Sequence, residues 1–382
     1  MAGFPDSEAQ RRDSTTPKSS LPNQEEPSAP LTGTVLAVQA NYYRVQLDVP
    51  VVGTPPQPHP LASEETLLCT RRARLKKIGQ QVMVGDRVRV EEPDWAGKRG
   101  AISEVLPRES ELSRPPIANV NQILLIFALA EPDLEPYQLS RFLVKAESTG
   151  IAFHLCLSKQ DLVSAEEQTE WRDRLRQWGY EPLFMSIHSS QGFDDLRSLL
   201  NDRMTVISGP SGVGKSSLIN ALIPALDLRV GAVSGKLGRG RHTTRHVELF
   251  ELPTGGLLAD TPGFNQPTLT CTPEELASYF PETRHRLETE VCQFSDCLHI
   301  DEPNCVVRGD WERYEHYLEF LQEAIDRQMA LHEQATPDDS IKVKANRQGQ
   351  QRYEPRLEAK KYRRVSRKTQ QQQLRQLYQD GE

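Results

Sequence analysis

The chain has 382 residues, which at roughly 100 to 200 residues per domain gives room for two or three domains with cores of their own. Hydrophobic residues make up 37% of it, and no uninterrupted apolar run approaches the ~20 residues that cross a bilayer, so a membrane-spanning class is excluded. The net charge of −7 conceals an asymmetry: residues 341–376 hold 12 Lys or Arg against 2 Glu, a local +10 that leaves −17 for the remainder.

Residues 1–30 are rich in Ser, Pro, Gln and charge and are expected to be a disordered tail. They contain neither an apolar signal core nor an acid-poor transit pattern, which predicts a cytoplasmic address. Residues 31–115 hold five short alternating runs separated by Gly, Pro and Asn turns: 32–38, 42–47, 66–72, 84–91 and 101–106. This spacing predicts a small β-barrel of the oligonucleotide-binding kind, an RNA-binding domain with a proline-rich insertion at 49–63. Arg71, Arg72, Arg74, Lys76 and Lys77 form a basic cluster on it, and Tyr42 and Tyr43 are candidates for stacking on bases.

From Val120 strands alternate with helices. Strands are expected at 122–127, 152–157, 182–187 and 204–208, and helices at 138–149, 165–178 and 193–200. That alternation predicts a mostly parallel, doubly wound sheet over residues 116–270 with ligand loops at the carboxyl ends of its strands. A helical segment at 271–335 and a basic, flexible tail at 336–382 complete a multidomain α/β chain.

The chemistry lies at those strand ends. Gly209-Pro210-Ser211-Gly212-Val213-Gly214-Lys215-Ser216 follows an apolar strand and opens a helix at Ser217, the full phosphate-binding loop in its required setting. Its glycines let backbone amides approach a β-phosphate, Lys215 is suited to neutralise the β- and γ-phosphates, and the Ser216 hydroxyl to ligate Mg. Asp260-Thr261-Pro262-Gly263 ends another apolar run, where Asp260 can hold metal-bound water and the Gly263 amide can meet the γ-phosphate. Between the two lies the basic segment Gly238-Arg239-Gly240-Arg241-His242-Thr243-Thr244, in which either Thr243 or Thr244 can reach the metal. Base recognition is expected upstream, at Ser158-Lys159-Gln160-Asp161 and Ser186, in inverted chain order. Asp161 can accept from N1–H and the exocyclic amine of guanine, Lys159 can cover the ring, and Ser186 or a neighbouring amide can meet the base oxygen.

With these residues the chain resembles the circularly permuted, small-ribosomal-subunit-associated GTPases over roughly residues 31–331. The match is carried by Arg114-Pro115, Ala118-Asn119-Val120-Asn121, the loop from Gly209 to Asn220, Arg241 to Thr244, and Asp260 to Gly263. The resemblance implies a GTPase assembly factor for late maturation of the small subunit that binds rRNA and converts GTP to GDP and phosphate. It also implies hydrolysis stimulated by the subunit; nothing in the sequence calls for a dimer, so a monomer is expected. In this family His242 matches the histidine suspected of positioning or deprotonating water, since Phe264 stands where many switch GTPases place glutamine and cannot orient water by hydrogen bonding. Ser158 stands where the family usually has asparagine, which predicts fewer contacts to base and loop and a weaker hold on guanine. A guanine-nucleotide-sensing checkpoint protein with hydrolysis only for recycling is the alternative, and a small-molecule kinase lacks an identifiable acceptor site.

Cys292-x4-Cys297-x-His299-x5-Cys305 supplies three thiolates and an imidazole, a closed tetrahedral set suited to one structural Zn. Cys69, Cys156 and Cys271 are expected to be small hydrophobes. Lys360-Lys361-Tyr362-Arg363-Arg364 and Arg367-Lys368 give the tail a phosphate-contacting character.

Overall fold

The computed structural model describes residues 31–48, 66–113, 115–226, 247–260, 267–335, 341–345 and 351–355. Two compact units divide the chain, Met1–Val82 with Asp86–Pro107, and Met83–Gly85 with Arg108–Glu382.

The first unit is a closed barrel of β1 (Leu31–Gln39), β2 (Tyr42–Leu47), β3 (Thr66–Arg71), β4 (Arg87–Asp94) and β5 (Arg99–Val105), in the order β1-β2-β3-β5-β4, with the short helix α1 (Ala73–Lys77) after β3. Period-two alternation sends Tyr43, Val45, Leu67, Cys69, Val88, Val90 and Ile102 into one core. Two expectations change. Tyr43 is 5% exposed and packs inward, so only Tyr42, 52% exposed, is available to a base. Val84 is not part of β4; it forms an isolated bridge with Ile117 in the second unit. Of the basic cluster, Arg71 donates to the Gln80 carbonyl and Arg72 pairs with Glu92 at 2.6 Å, whereas Arg74, Lys76 and Lys77 crowd the last turn of α1.

The second unit opens with a hairpin, β6 (Glu111–Ser113) and β7 (Pro116–Ala118), and continues through β8 (Gln122–Ala128), α2 (Pro136–Glu147), β9 (Ala152–Ser158), α3 (Ala165–Gln177), β10 (Leu183–Phe184), α4 (Phe193–Leu200), β11 (Met204–Ser208), α5 (Lys215–Leu222), β12 (Leu249–Glu251) and β13 (Leu257–Asp260). The sheet order is β10-β9-β8-β11-β13-β12, parallel except for β12. Every residue of β8 and β11 is buried, as central parallel strands with covered faces require. Asn119 and Asn121 fasten the entry to β8: Asn119 donates to the Gly85 carbonyl at 2.9 Å, and the Asn121 side-chain oxygen accepts the Met204 amide at 2.7 Å. The strand expected at 182–187 is shorter because the Ser186 hydroxyl accepts the amides of His188 and Ser189, both at 3.1 Å, and turns the chain out of the ladder.

The carboxyl-terminal helices α6 (Pro273–Leu276), α7 (Pro281–Thr289) and α8 (Tyr314–Ala335) share a core with the sheet domain instead of standing apart. Val144 of α2 packs with Leu276, Phe280, Tyr317 and Phe320. Arg141 holds Glu323 with two bonds of 2.6 Å, Ser140 meets His316 at 2.9 Å, and Arg284 pairs with Glu147 at 2.9 Å. Arg313 is fully buried beneath Trp178, Tyr180 and Phe280, with its charge matched by Glu282. In the segment expected to be a flexible tail, β14 (Ile341–Ala345) and β15 (Gln351–Pro355) form an antiparallel pair. Burial pushes the Cys69 thiol up to about 11 and the Cys156 thiol up to about 12, which leaves both as inert hydrophobes.

Candidate nucleotide and metal sites

The phosphate loop joins β11 to α5, and its backbone has the conformations that its glycines permit. Gly209 has φ +142°, and a Cβ there would lie 2.1 Å from the Ile126 carbonyl oxygen, so any side chain would drive the loop off β8. Gly214 caps α5 at φ +96°, which turns the first amides of the helix, free of intrahelical partners, toward the loop mouth. Val213 buries its side chain in the core beneath, while Ser211 and Gly212 are exposed and Ser216 and Ser217 half-buried. The Lys215 ammonium folds back over the loop, donating to the carbonyls of Gly209 at 2.8 Å and Pro210 at 2.6 Å.

On one flank of this loop lie the ends of β9 and β10. Ser158 is buried, and its hydroxyl is shared between the carbonyls of Val213 at 2.7 Å and Phe127 at 3.1 Å. One of these bonds is to the phosphate loop itself, one of the two kinds of contact, base and loop, expected at this position. Lys159 follows in the left-handed region at φ +59° and donates to the Glu131 carbonyl. That turn releases Asp161 to the surface, where the Ser186 side chain hydrogen-bonds its carboxylate. This bond, with the fields of His188 and Lys159, outweighs partial desolvation and holds the carboxyl below its usual range. Asp161 is thus ionised at neutral pH, an acceptor for paired donors, and Ser186 acts on it as a support.

On the other flank β13 lies beside β11, with Asp260 in register with Ile207. His242, Thr243, Thr244 and Gly263 lie outside the described residues.

The second site is in the loop between α7 and α8. The ligand atoms of Cys292, Cys297, His299 and Cys305 all lie within 4.8 Å of one another, with His299 Nδ1 at 3.3 Å from the Cys297 and Cys305 sulfurs and 3.6 Å from that of Cys292. Metal–sulfur bonds of about 2.3 Å and a metal–nitrogen bond of about 2.0 Å in a tetrahedron require edges of about 3.5 to 3.8 Å, so the donor set fits a soft dication. Surrounding groups brace it, although its sequence spacing does not reveal them. The hydroxyls of Tyr314 and Tyr317 donate to the carbonyls of His299 and Leu298 at 2.7 and 2.8 Å, Glu302 accepts the amides of Leu298 and Ile300, both at 2.8 Å, and the Arg308 amide points at the Cys305 sulfur. The i, i+3 tyrosines at the start of α8 were the legible trace of this support.

A phosphate loop at the centre of a doubly wound sheet, with the ends of β9 and β10 preceding it in the chain and lying on one flank of it, defines a circularly permuted GTPase. A family model described as RsgA GTPase matches residues 105–270. The chain is 64% identical over 362 residues to the small ribosomal subunit biogenesis GTPase RsgA of Trichormus variabilis, covering 92% of this chain and 98% of that one. Among solved structures, YjeQ from Thermotoga maritima superposes with a TM-score of 0.64 at 30% identity, covering 78% of this chain and 99% of that one. YloQ, described as a circularly permuted GTPase, gives 0.63 at 31%, covering 80% and 98%. The chain belongs to the RsgA GTPase family.

Proposed function

We propose that this protein hydrolyses GTP to GDP and phosphate during biogenesis of the small ribosomal subunit, binding the subunit and its rRNA in the cytoplasm as a monomer. The reading rests on the sheet order: β9 and β10, whose following turns carry Asp161 and Ser186, lie on one side of the phosphate-loop strand, and the strand ending at Asp260 lies on the other. The name of the Trichormus relative supports the choice of partner.

In this reading the guanine edge donates to the Asp161 carboxylate while Lys159 lies along the ring. Amides of residues 209–217 and the Lys215 ammonium surround the phosphates, replacing the lysine's bonds to its own loop. Ser216, Asp260 and either Thr243 or Thr244 offer hard oxygen donors, which suit Mg; the ion would neutralise charge on the β- and γ-phosphates. The Gly263 amide holds the γ-phosphate, and His242 orients the attacking water. The cysteine and histidine set holds Zn as a structural ion, without an open position for chemistry.

Hydrolysis of GTP and ATP by the full chain, with and without purified small subunits, tests this. Stimulation confined to GTP is expected. Equal use of ATP, or no response to subunits, would refute it, the second outcome favouring a nucleotide-sensing checkpoint role.

A further inference from the structure

The turn after β10 is closed by its own backbone. The Ser186 amide donates to the Gln191 carbonyl at 3.0 Å, and the Ser186 hydroxyl accepts the amides of His188 and Ser189. Gly192 ends the turn at φ +73°, where a Cβ would lie 2.1 Å from the Phe184 carbonyl oxygen. Main chain also ties this turn to the one that carries Asp161: the Gln160 amide donates to the Met185 carbonyl at 3.2 Å, and the Met185 amide to the Leu157 carbonyl at 2.9 Å. Ile187 packs against the core of the sheet, whereas His188, next in the chain, is exposed. Among the described residues the His188 ring has no hydrogen-bond partner, yet it lies close enough for its field to act on the Asp161 carboxylate.

Lys159 and His188 approach that carboxylate from opposite sides of β9. The Lys159 ammonium is fastened to the Glu131 carbonyl in the turn after β8, and His188 belongs to the turn after β10; β8 and β10 are the two neighbours of β9 in the sheet. A planar group that donates to Asp161 thus has a lysine on one side and an imidazole on the other. A phosphate does not suit this place, because the ionised carboxylate repels it, and the cation and free amides that hold phosphate lie in the loop before α5. An aromatic base does suit it. Imidazole offers a flat face for stacking, and the closed turn holds its backbone in place before anything binds, which lowers the cost of ordering. The exposed positions that follow, 189 and 190, are both serine, so His188 is the one ring that the turn presents.

We propose that His188 is a further nucleotide-binding residue, its imidazole lying against the face of the guanine base opposite Lys159. This placement rests on the proposed function, in which Asp161 receives the guanine edge. Every base has such a face, so stacking adds affinity without choosing among bases, which separates the role of His188 from that of Asp161. The test is calorimetric titration of the full chain with GDP and with inosine diphosphate, together with proton NMR of the histidine ring signals. His188→Phe identifies the His188 signal by its absence. His188→Ala is expected to raise the Kd of both nucleotides by about five- to a hundredfold and leave their ratio unchanged, as loss of one stacked base predicts. His188→Phe keeps a ring and should retain most of the affinity. In the wild type, at a pH well above the histidine range, the His188 signal should move upfield on addition of GDP and stay in place with pyrophosphate, which fills the phosphate loop alone. Full affinity in His188→Ala, equal losses in His188→Ala and His188→Phe, or an equal response to pyrophosphate would overturn the stacking. If any of these occurs while GDP still binds more tightly than ADP, the assignment of His188 fails and the proposed function stands. If the wild type holds ADP as tightly as GDP, the guanine reading fails instead, and the His188 signal still decides whether a base lies against that ring.

Discussion

The hydroxyl of Ser158 reaches the carbonyl oxygen of Val213 at 2.7 Å, so the end of β9 is bonded directly to the phosphate loop. Removing that hydroxyl leaves buried carbonyls without their donor, at a cost of about 1 to 2 kcal/mol. Ser158→Ala should therefore raise the Kd of both GTP and ATP by about five- to thirtyfold and leave their ratio unchanged. Nucleotide titration followed by calorimetry checks this; a selective loss of guanine preference would show that Ser158 reads the base.

Asp161 is the residue expected to choose the base. Asp161→Asn replaces an acceptor pair by an acceptor and a donor, so GDP affinity should fall by about a hundredfold, corresponding to about 3 kcal/mol for charge-assisted bonds, while xanthosine diphosphate gains. Equal affinities for the two nucleotides before and after substitution would exclude the assignment.

The same carboxylate fixes a pH dependence. Its pKa is lowered, chiefly by the Ser186 bond, so the binding-competent anion persists above that value and is lost only as pH falls through it. GDP affinity should be flat from pH 8 to 5 as far as this group is concerned. In Ser186→Ala the acid limb should move upward, toward the ordinary aspartate range. Titration of the Asp161 carboxyl by NMR in both proteins reads the shift directly.

Arg313 has no solvent exposure, and its charge is met by Glu282. Glu282→Ala strands that cation among three aromatic rings and should cost about 3 to 5 kcal/mol, whereas Glu282→Leu with Arg313→Met removes both charges and should cost much less. Urea unfolding followed by tryptophan fluorescence separates the two, because Trp178 and Trp311 lie in the affected core. Similar losses in single and double variants would contradict the burial argument.

One equivalent of zinc per chain is expected from metal analysis of purified protein, and Cys305→Ser should reduce it below about a tenth. Chelation should lower the melting temperature of the second unit while leaving the barrel's secondary structure intact. Retention of melting behaviour after complete metal removal would assign the set a role other than stabilisation.

Much of this was legible in the sequence for physical reasons. Three glycines followed by Lys215 and Ser216 have few uses other than to admit a phosphate, and strand ends bearing Ser158 and Asp161 imply a place in a parallel sheet whatever their chain order. The metal-ligating set was legible because three thiolates and an imidazole at that spacing can converge, and their ligand atoms lie within 4.8 Å of one another. What stayed hidden depends on direction and partnership. Adjacent Tyr42 and Tyr43 look equivalent until alternation sends one inward. Nothing in the sequence shows that the Ser158 hydroxyl is shared between the Val213 and Phe127 carbonyls. The helices after residue 270 look like a separate domain because composition does not reveal that α2 presents Val144 to them.

The permutation moves the break in the chain to a particular place. Among the described residues β13 is the last strand of the sheet in chain order; seven residues beyond its end, the Pro267 carbonyl is held by Arg141 at 3.0 Å, and Leu269 lies in the aromatic core. Seven residues span at most about 25 Å of chain, so Asp260 and the Pro267 carbonyl held by Arg141 are covalently tied within that distance.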